Sequence, residues 1–424
     1  MGDTHKVPPA PHRRHRELLM LDEVPPSAGG ILWQYLRHLW DWAQTPPARW
    51  AVLFHAQRPP WVLAKRKAAL DECPELIPAF TVLFQLVDAP AGVSTTELAG
   101  ACADIAQWAE QRQHMNTAVE FIEAAAAVDP RDPRRANAAG RINRNSGDFP
   151  RADSWFERGI ALARKAGDRI EFTRGHLGAG ILCMISGREA RARRHLNRAS
   201  NVAMKEGHEW LAAEAQHDLF HFMTVRGHYA EAELHARRAL RWYPKHHARF
   251  PYFVADVAFL LVCERHYSAS ATLLGEVLRL VVEPGARFVI GALLTRALAG
   301  AKRWKEFDQQ RRRVTEMLSE PSEWEAAARW HLAEAERAAG LWESADANAT
   351  AALQIARSRR DAETEQFVRR LLDELAERVP APAELVRTDD AFANLLNKLS
   401  ARLSEWAPTR RGRSRTLSRG EWAA

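Results

Sequence analysis

The sequence is poor in cysteine. Four thiols, Cys73, Cys102, Cys183 and Cys263, are spread over 424 residues. No CxxC pair occurs among them, so neither a zinc knot nor a disulfide framework is expected. Buried free thiols in a reducing cytoplasm are the reading instead. Long apolar runs are also missing. No stretch reaches about 18 uninterrupted apolar residues, so no membrane-spanning helix is expected. The start of the chain holds no signal-peptide core. β-branched residues are sparse, and no long segment alternates apolar with polar, which leaves no sheet.

Catalytic signatures are absent as well. There is no GxxxxGK[ST] phosphate loop and no Gly-x-Ser-x-Gly elbow. Gly178-Ala-Gly180 sits inside a helical pattern with no strand before it, so it is not a dinucleotide loop. Carboxylates are scattered over helix surfaces, with no isolated apolar pair to serve as general acid and base. A non-catalytic chain with no cofactor is expected.

What is present favours helix. Alanine, leucine, arginine and glutamate dominate. Hydrophobic residues make up 46% and charged residues 27%, an ordinary balance for an all-α fold. Net charge is +7 and pI about 9.4, which admits an acidic partner or a polyanion. However, 60 basic residues face 53 acidic ones, mostly as mixed pairs on exposed helix faces. Arginine runs at 188–198 and 237–241 and the basic stretch Arg410–Arg419 keep nucleic-acid contact as a minor alternative.

One stretch organises the chain: Gly227-His-Tyr-Ala-Glu-Ala-Glu-Leu-His-Ala-Arg-Arg-Ala-Leu240, followed by Pro244. It reads as a helix-ending glycine, a tight turn and a new helix with a small-residue stripe at Ala232, Ala236 and Ala239. The position of Tyr229 recurs at Phe149, Glu189, Tyr267, Trp304 and Trp342, with successive steps of 40, 40, 38, 37 and 38 residues. Stepping back 34 from Phe149 reaches Met115. Three residues after each turn position stand Ala118, Ala152, Ala192, Ala232, Ser270, Phe307 and Ala345. Gly147, Gly187, Gly227 and Gly340 lead four of these turns. A single hairpin cannot bury its apolar face, so the units must stack.

These residues resemble the tetratricopeptide repeat. The best units are Gly140…Gly147-Asp-Phe149-x-x-Ala152-x-x-x-Phe156 and the Gly227–Pro244 stretch. The family period is about 34 residues, so this chain is similar to the lengthened repeats of bacterial regulatory members. The resemblance implies an all-α, right-handed α-α superhelix of about seven hairpins with terminal capping helices. The expected division is a flexible leader at 1–27, a helical cap at 28–93 and the solenoid at 94–377. A capping helix at 378–407, lying over the last repeat, and a basic disordered tail at 408–424 complete it. Ser27 and Ser94 are the expected N-caps of the cap helix and the first repeat helix. Leu32, Trp33, Tyr35, Leu36, Leu39 and Trp40 form one apolar face, read as packing or as an aromatic docking surface. Phe392, Leu395, Leu396, Leu399, Leu403 and Trp406 form another, read as a cap or as a partner helix.

In the resembled family the first helix of each hairpin lines a concave groove. Carried onto this chain, the groove residues are Arg134, Asn137, Arg141, Arg144 and Asn145, then Glu214, His217, His221 and Thr224, then Trp330, Glu334 and Arg337. The first set is basic and amide-rich, suited to an acidic peptide. His217-Asp-Leu-Phe-His221 places two imidazoles one turn apart. It lacks the glutamate of H-E-x-x-H and any spaced third ligand, so groove lining is expected rather than metal binding. The implied function is a cytoplasmic scaffold binding a protein or peptide. The alternative is a sensor of a transcription or signalling system that changes shape on binding ligand. Oligomeric state is left open.

Overall fold

The computed structural model describes residues 13–54, 60–319, 322, 324–385 and 390–406. Among them are twenty α-helices and no strand. They fall into two compact units that divide between Leu182 and Cys183. The first holds α1 (Arg13–Glu23), α2 (Pro26–Gln44), α3 (Pro60–Glu72), α4 (Ile77–Asp88), α5 (Thr95–Gln111), α6 (Met115–Val128), α7 (Pro133–Asn145) and α8 (Phe149–Ala166). The boundary runs within α9 (Arg169–Ile185). The second holds α10 (Glu189–Lys205), α11 (Glu209–Val225), α12 (Tyr229–Trp242), α13 (Phe250–Cys263), α14 (Tyr267–Val277) and α15 (Pro284–Gly300). It continues with α16 (Trp304–Met317), α17 (Glu325–Ala338), α18 (Trp342–Ser358), α19 (Ala362–Ala376) and α20 (Asp390–Trp406).

The repeat register agrees with the spacing. Met115, Phe149, Glu189, Tyr229, Tyr267, Trp304 and Trp342 are each the first residue of a hairpin's second helix. The residue three places on is buried in every case, from Ala118 at 0% exposure to Phe307 at 2%. A small or flat side chain there lets the paired helices approach. Two positions before each second helix the backbone is left-handed, as at Gly147 (φ 84°) and Gly227 (φ 73°). The turn closes in a Schellman pattern, with Gly147 N donating to Arg144 O and Asp148 N to Asn143 O, both at 3.0 Å. Glycine is absent from three of these turns, yet Gln113 (φ 63°), Arg265 (φ 65°) and Lys302 (φ 57°) adopt the same conformation. The hydrogen-bonded turn imposes it on them. Gly167 and Gly207 show it at the intervening turns, so left-handed residues recur every 20 positions from Gly147 to Gly227.

The beginning of the chain departs from the expected leader. Residues 1–12 lie outside the described part, but 13–23 form α1. Of its Leu-Leu-Met-Leu patch only Met20 is buried, with Val24 just beyond the helix, where α1 packs on α6; Leu18, Leu19 and Leu21 stay exposed. Glu23 then accepts hydrogen bonds from Asn116 N (2.9 Å) and Thr117 N (2.8 Å), capping the start of α6. Ser94 caps α5 as expected, accepting from Glu97 N. Ser27 does not cap α2. That helix opens on Pro26, which is preorganised for a first position, and Ala28 N donates to Glu72 of α3 at 2.8 Å. On α2 the expected face is buried at Leu32, Tyr35, Leu36 and Leu39, while Trp33 and Trp40 are partly covered. Trp42, which the spacing puts off that face, is 1% exposed, stacked on Trp50 and donating to Pro90 O.

The end of the chain also differs. The helix that follows α18 in the array is α19, with Val368 and Leu371 buried. The last described helix, α20, does not serve as the expected cover of the final repeat. It packs on α14, burying Leu399 and Leu403, while Leu395 and Leu396 are half-buried. The cause is an extended segment at 379–385 that carries the chain back to the α13–α14 turn. There Leu385 N donates to Arg265 O (2.9 Å) and Ser268 N to Glu384 Oε1 (2.6 Å). The side chains of Phe392 and Trp406, and the basic tail at 408–424, lie outside the described part.

Candidate binding surface on the inner helices

The first helices of the hairpins are buried on nearly every side. On α11, Leu211 through Phe220 are all covered, polar residues included. A polar group taken out of water must find a partner there. The partners come mostly from the neighbouring first helix, about one repeat away in sequence.

In the first unit, Arg141 of α7 forms a two-bond pair with Glu110 of α5 at 2.6 and 2.9 Å, and Asn145 joins it at 3.0 Å. Asn137 donates to the carbonyl and carboxylate of Glu171, both at 2.9 Å. Arg144 is 7% exposed and lies against Asn145. Arg134 keeps 69% of its side chain exposed and pairs with Asp132 at the helix start. The expected basic groove is thus largely a set of internal contacts: Arg141 pairs with Glu110, Arg134 with Asp132, and Arg144 donates to the Asn145 amide oxygen.

In the second unit, Glu334 of α17 accepts from Arg296 of α15 at 3.0 Å and from Arg337 at 2.6 Å. Arg337 pairs in turn with Glu374 of α19. Trp330 is stacked flat on Phe367 of α19, ring centroids 4.4 Å apart, and the Arg296 guanidinium lies over the Trp330 ring at 5.1 Å. Glu214 lies near Arg249 and His247, at 3.8 and 3.6 Å. Thr224 donates to Phe220 O within α11.

His217 and His221 meet on Asp256 of α13. His217 Nε2 is 2.8 Å from Asp256 Oδ2, and its Nδ1 is 2.9 Å from the Tyr243 hydroxyl. His221 Nδ1 is 3.4 Å from Asp256 Oδ1, and its Nε2 is 3.4 Å from Glu363 of α19. The two imidazoles separate in charge. Burial lowers the pKa of His217 against the pull of Asp256, so it stays neutral. Burial also opposes charge on His221, but Asp256 and Glu363 outweigh it and raise its pKa well above the ordinary value. Burial alone would raise the Asp256 carboxyl, yet the two histidines hold it far below the usual carboxylate range. Neutral His217 therefore donates from Nε2 to Asp256 and accepts from the Tyr243 hydroxyl, whose pKa burial pushes well up. Charged His221 offers an N–H to a carboxylate on each side. His221 and Asp256 each keep 31% side-chain exposure, so this is where the inner face meets solvent. Phe259 stands beside it, 6.3 Å from the His221 ring and 6.1 Å from Trp330.

The sequence pattern singles out the histidines but not Asp256, Glu363, Tyr243, Arg296 or Glu374. A signal for some of them exists. His217–Asp256, Arg296–Glu334 and Arg337–Glu374 are separated by 39, 38 and 37 residues, close to one repeat step. Complementary groups at that spacing on successive first helices mark the ladder. Tyr243 and Glu363 carry no such mark. Among the described residues, no group of three or more His, Cys, Asp or Glu is arranged to hold a metal ion. No described helix is long and apolar enough to cross a membrane.

No protein-family model and no curated protein sequence matches the chain. Among solved structures it is similar to a Rap protein complexed with competence and sporulation factor, at 10% identity and a TM-score of 0.43, covering 83% of this chain and 99% of that one. It is also similar to the TPR domain of P58(IPK), at 13% identity and TM-score 0.23, covering 75% and 92%. A third likeness is to a circular tandem repeat protein, at 14% identity and TM-score 0.19, covering 90% and 95%. The register of second helices, buried small positions and left-handed turns makes this chain an all-α array of tetratricopeptide-like hairpins.

Proposed function

We propose that the chain is a non-catalytic scaffold that binds a protein or peptide on the inner helices of its second unit. One observation carries this reading. His221 and Asp256 are part-exposed charged groups on an otherwise closed inner face, with Phe259 alongside. Asp256 and Glu363 together carry one more negative charge than His221 balances. A peptide presenting a lysine or arginine fits that chemistry better than an acidic one.

Peptides selected from a random display library on the wild-type chain test this. Asp256→Ala, with its far-UV circular dichroism unchanged, is expected to lose their capture about tenfold or more, the scale of a charge-assisted contact. Unchanged capture would sink the assignment.

A second reading is that binding changes the shape of this unit. His221–Glu363 and Arg226–Gln366 join α11 to α19 across 142 and 140 residues of sequence. A cationic ligand that took Asp256 and Glu363 from His221 would release that latch, which supports a sensing role. Ligand-induced change in the proteolysis of α19 separates this reading from a rigid scaffold.

A further inference from the structure

Helix α20 is seated against the end of α12, the start of α13 and α14. Its guanidinium, Arg402, reaches the carbonyl end of α12, donating to Leu240 O (2.9 Å), Tyr243 O (3.0 Å) and Pro244 O (3.1 Å). The last carbonyls of a helix have no partner inside it and carry the negative end of its dipole. A cation from elsewhere is a complementary match. The same guanidinium lies 4.1 Å above the ring of Phe250 at the start of α13. Leu399 and Leu403, one turn apart, are the only fully buried side chains described on α20, and they seat against α14. The recognition pattern is therefore Leu-x-x-Arg-Leu.

The hold on α20 is slight by comparison with the array. Helix α13 buries nearly its whole length, from Phe250 to Val262. The segment leading to α20 is attached mainly through polar contacts: Glu384 to Ser268 N and Oγ, and Leu385 to Arg265 O and His266. Ser268 and Glu384 are both open to water, which competes for such bonds. The ion pair of α20 with the loop after α12, Lys245 with Glu405 at 3.6 Å, is exposed on both sides.

We propose that the face made by the end of α12, the start of α13 and α14 is a docking site for an amphipathic helix of another protein. That helix carries leucines one turn apart and an arginine directly before the second. α20 is the internal stand-in that a partner displaces. The site is made by the end of α12, the start of α13 and α14, away from His221 and Glu363, and its test does not use the inner-face ligand.

The test uses the full chain and a fluorescent peptide of residues 379–406. Wild type is expected to bind the peptide weakly, because α20 holds the site. The variant Leu399→Asp with Leu403→Asp releases α20 and is expected to bind it at least tenfold more tightly. The same peptide carrying Arg402→Glu is expected not to bind. A folded release variant that binds no tighter than wild type overturns the proposal, as does binding indifferent to Arg402. If the release variant fails to fold, hydrogen exchange on wild type decides. Amides of α20 are expected to exchange at least tenfold faster than those of α13, and equal rates overturn the proposal. A wild-type dimer with exchanged α20 helices would also overturn it, since the occupant would then be a second copy of this chain.

Discussion

Phe156 shows how single residues set helix spacing in the first unit. Its ring lies against two glycines on neighbouring helices. A Cβ added at Gly140 would come within 2.7 Å of it, and one at Gly178 within 2.2 Å. Gly178 of the Gly178-Ala-Gly180 pair thus has a packing role. Gly178→Ala is expected to destabilise the chain by roughly 1–3 kcal/mol, the cost of overpacking a tight core. A shift in the urea midpoint with an unchanged slope would show it. Asn137 makes a similar demand, because a Cβ at Gly159 would sit 2.0 Å from its Oδ1. The buried histidines act on pH dependence instead. Burial lowers His217 and His331, and it lowers His247 to about 4, so the folded chain refuses protons that the unfolded chain accepts. Stability is therefore expected to fall as pH drops from about 6.5 toward 4. Thermal unfolding followed across that window measures it, and a flat profile would count against neutral buried imidazoles.

At the scale of the element, the turn is the repeated unit. Left-handed backbone costs a side-chain-bearing residue roughly 1–2 kcal/mol, and glycine avoids most of that. Arg265 and Lys302 bear the cost in the two hairpins that look weakest in sequence. Arg265→Gly and Lys302→Gly are each expected to stabilise the chain by about 0.5–1 kcal/mol, and to add, since the two turns are 37 residues apart. Chemical denaturation of the single and double variants checks both statements. A loss of stability would mean that these side chains do something at the turn besides tolerate its backbone. The first helices behave differently. Their identity comes from a polar ladder between equivalent positions, such as Arg296–Glu334 and Arg337–Glu374. Buried pairs of this kind fix which neighbour is correct, and removing one partner strands the other charge.

At the scale of the molecule, the latch in the second unit closes a long loop through one imidazole. The folded-state pKa of His221 is raised above its unfolded value. The stabilisation it provides is complete below about pH 6.5 and is lost as pH rises through the folded pKa. Proteolysis of α19 is accordingly expected to accelerate at alkaline pH in wild type. The variant His221→Gln with Glu363→Gln is expected to be cleaved faster throughout, without that pH dependence. Equal, pH-insensitive cleavage of both proteins would remove the latch. The hairpin register was legible in the sequence because it depends on local chemistry. A turn needs a left-handed residue and a close helix pair needs a small side chain, and the pattern of Gly227 and Ala232 recurs with both residue types in the units at Gly147, Gly187 and Gly340. The groove was only half legible. The histidines on α11 stood out, but their partners Tyr243 and Glu363 lie 26 and 142 residues away and follow no repeat step. The end of the chain was the least legible. Its apolar stripe marked α20 as a packing helix, yet nothing local distinguishes a seat on the last repeat from one on α14. The sequence alone determined the repeat, because a turn and its helix pair are short-range and are written anew in each unit. The tertiary structure alone decided which charges are already matched and where α20 lies, because both depend on groups brought together only when the hairpins stack.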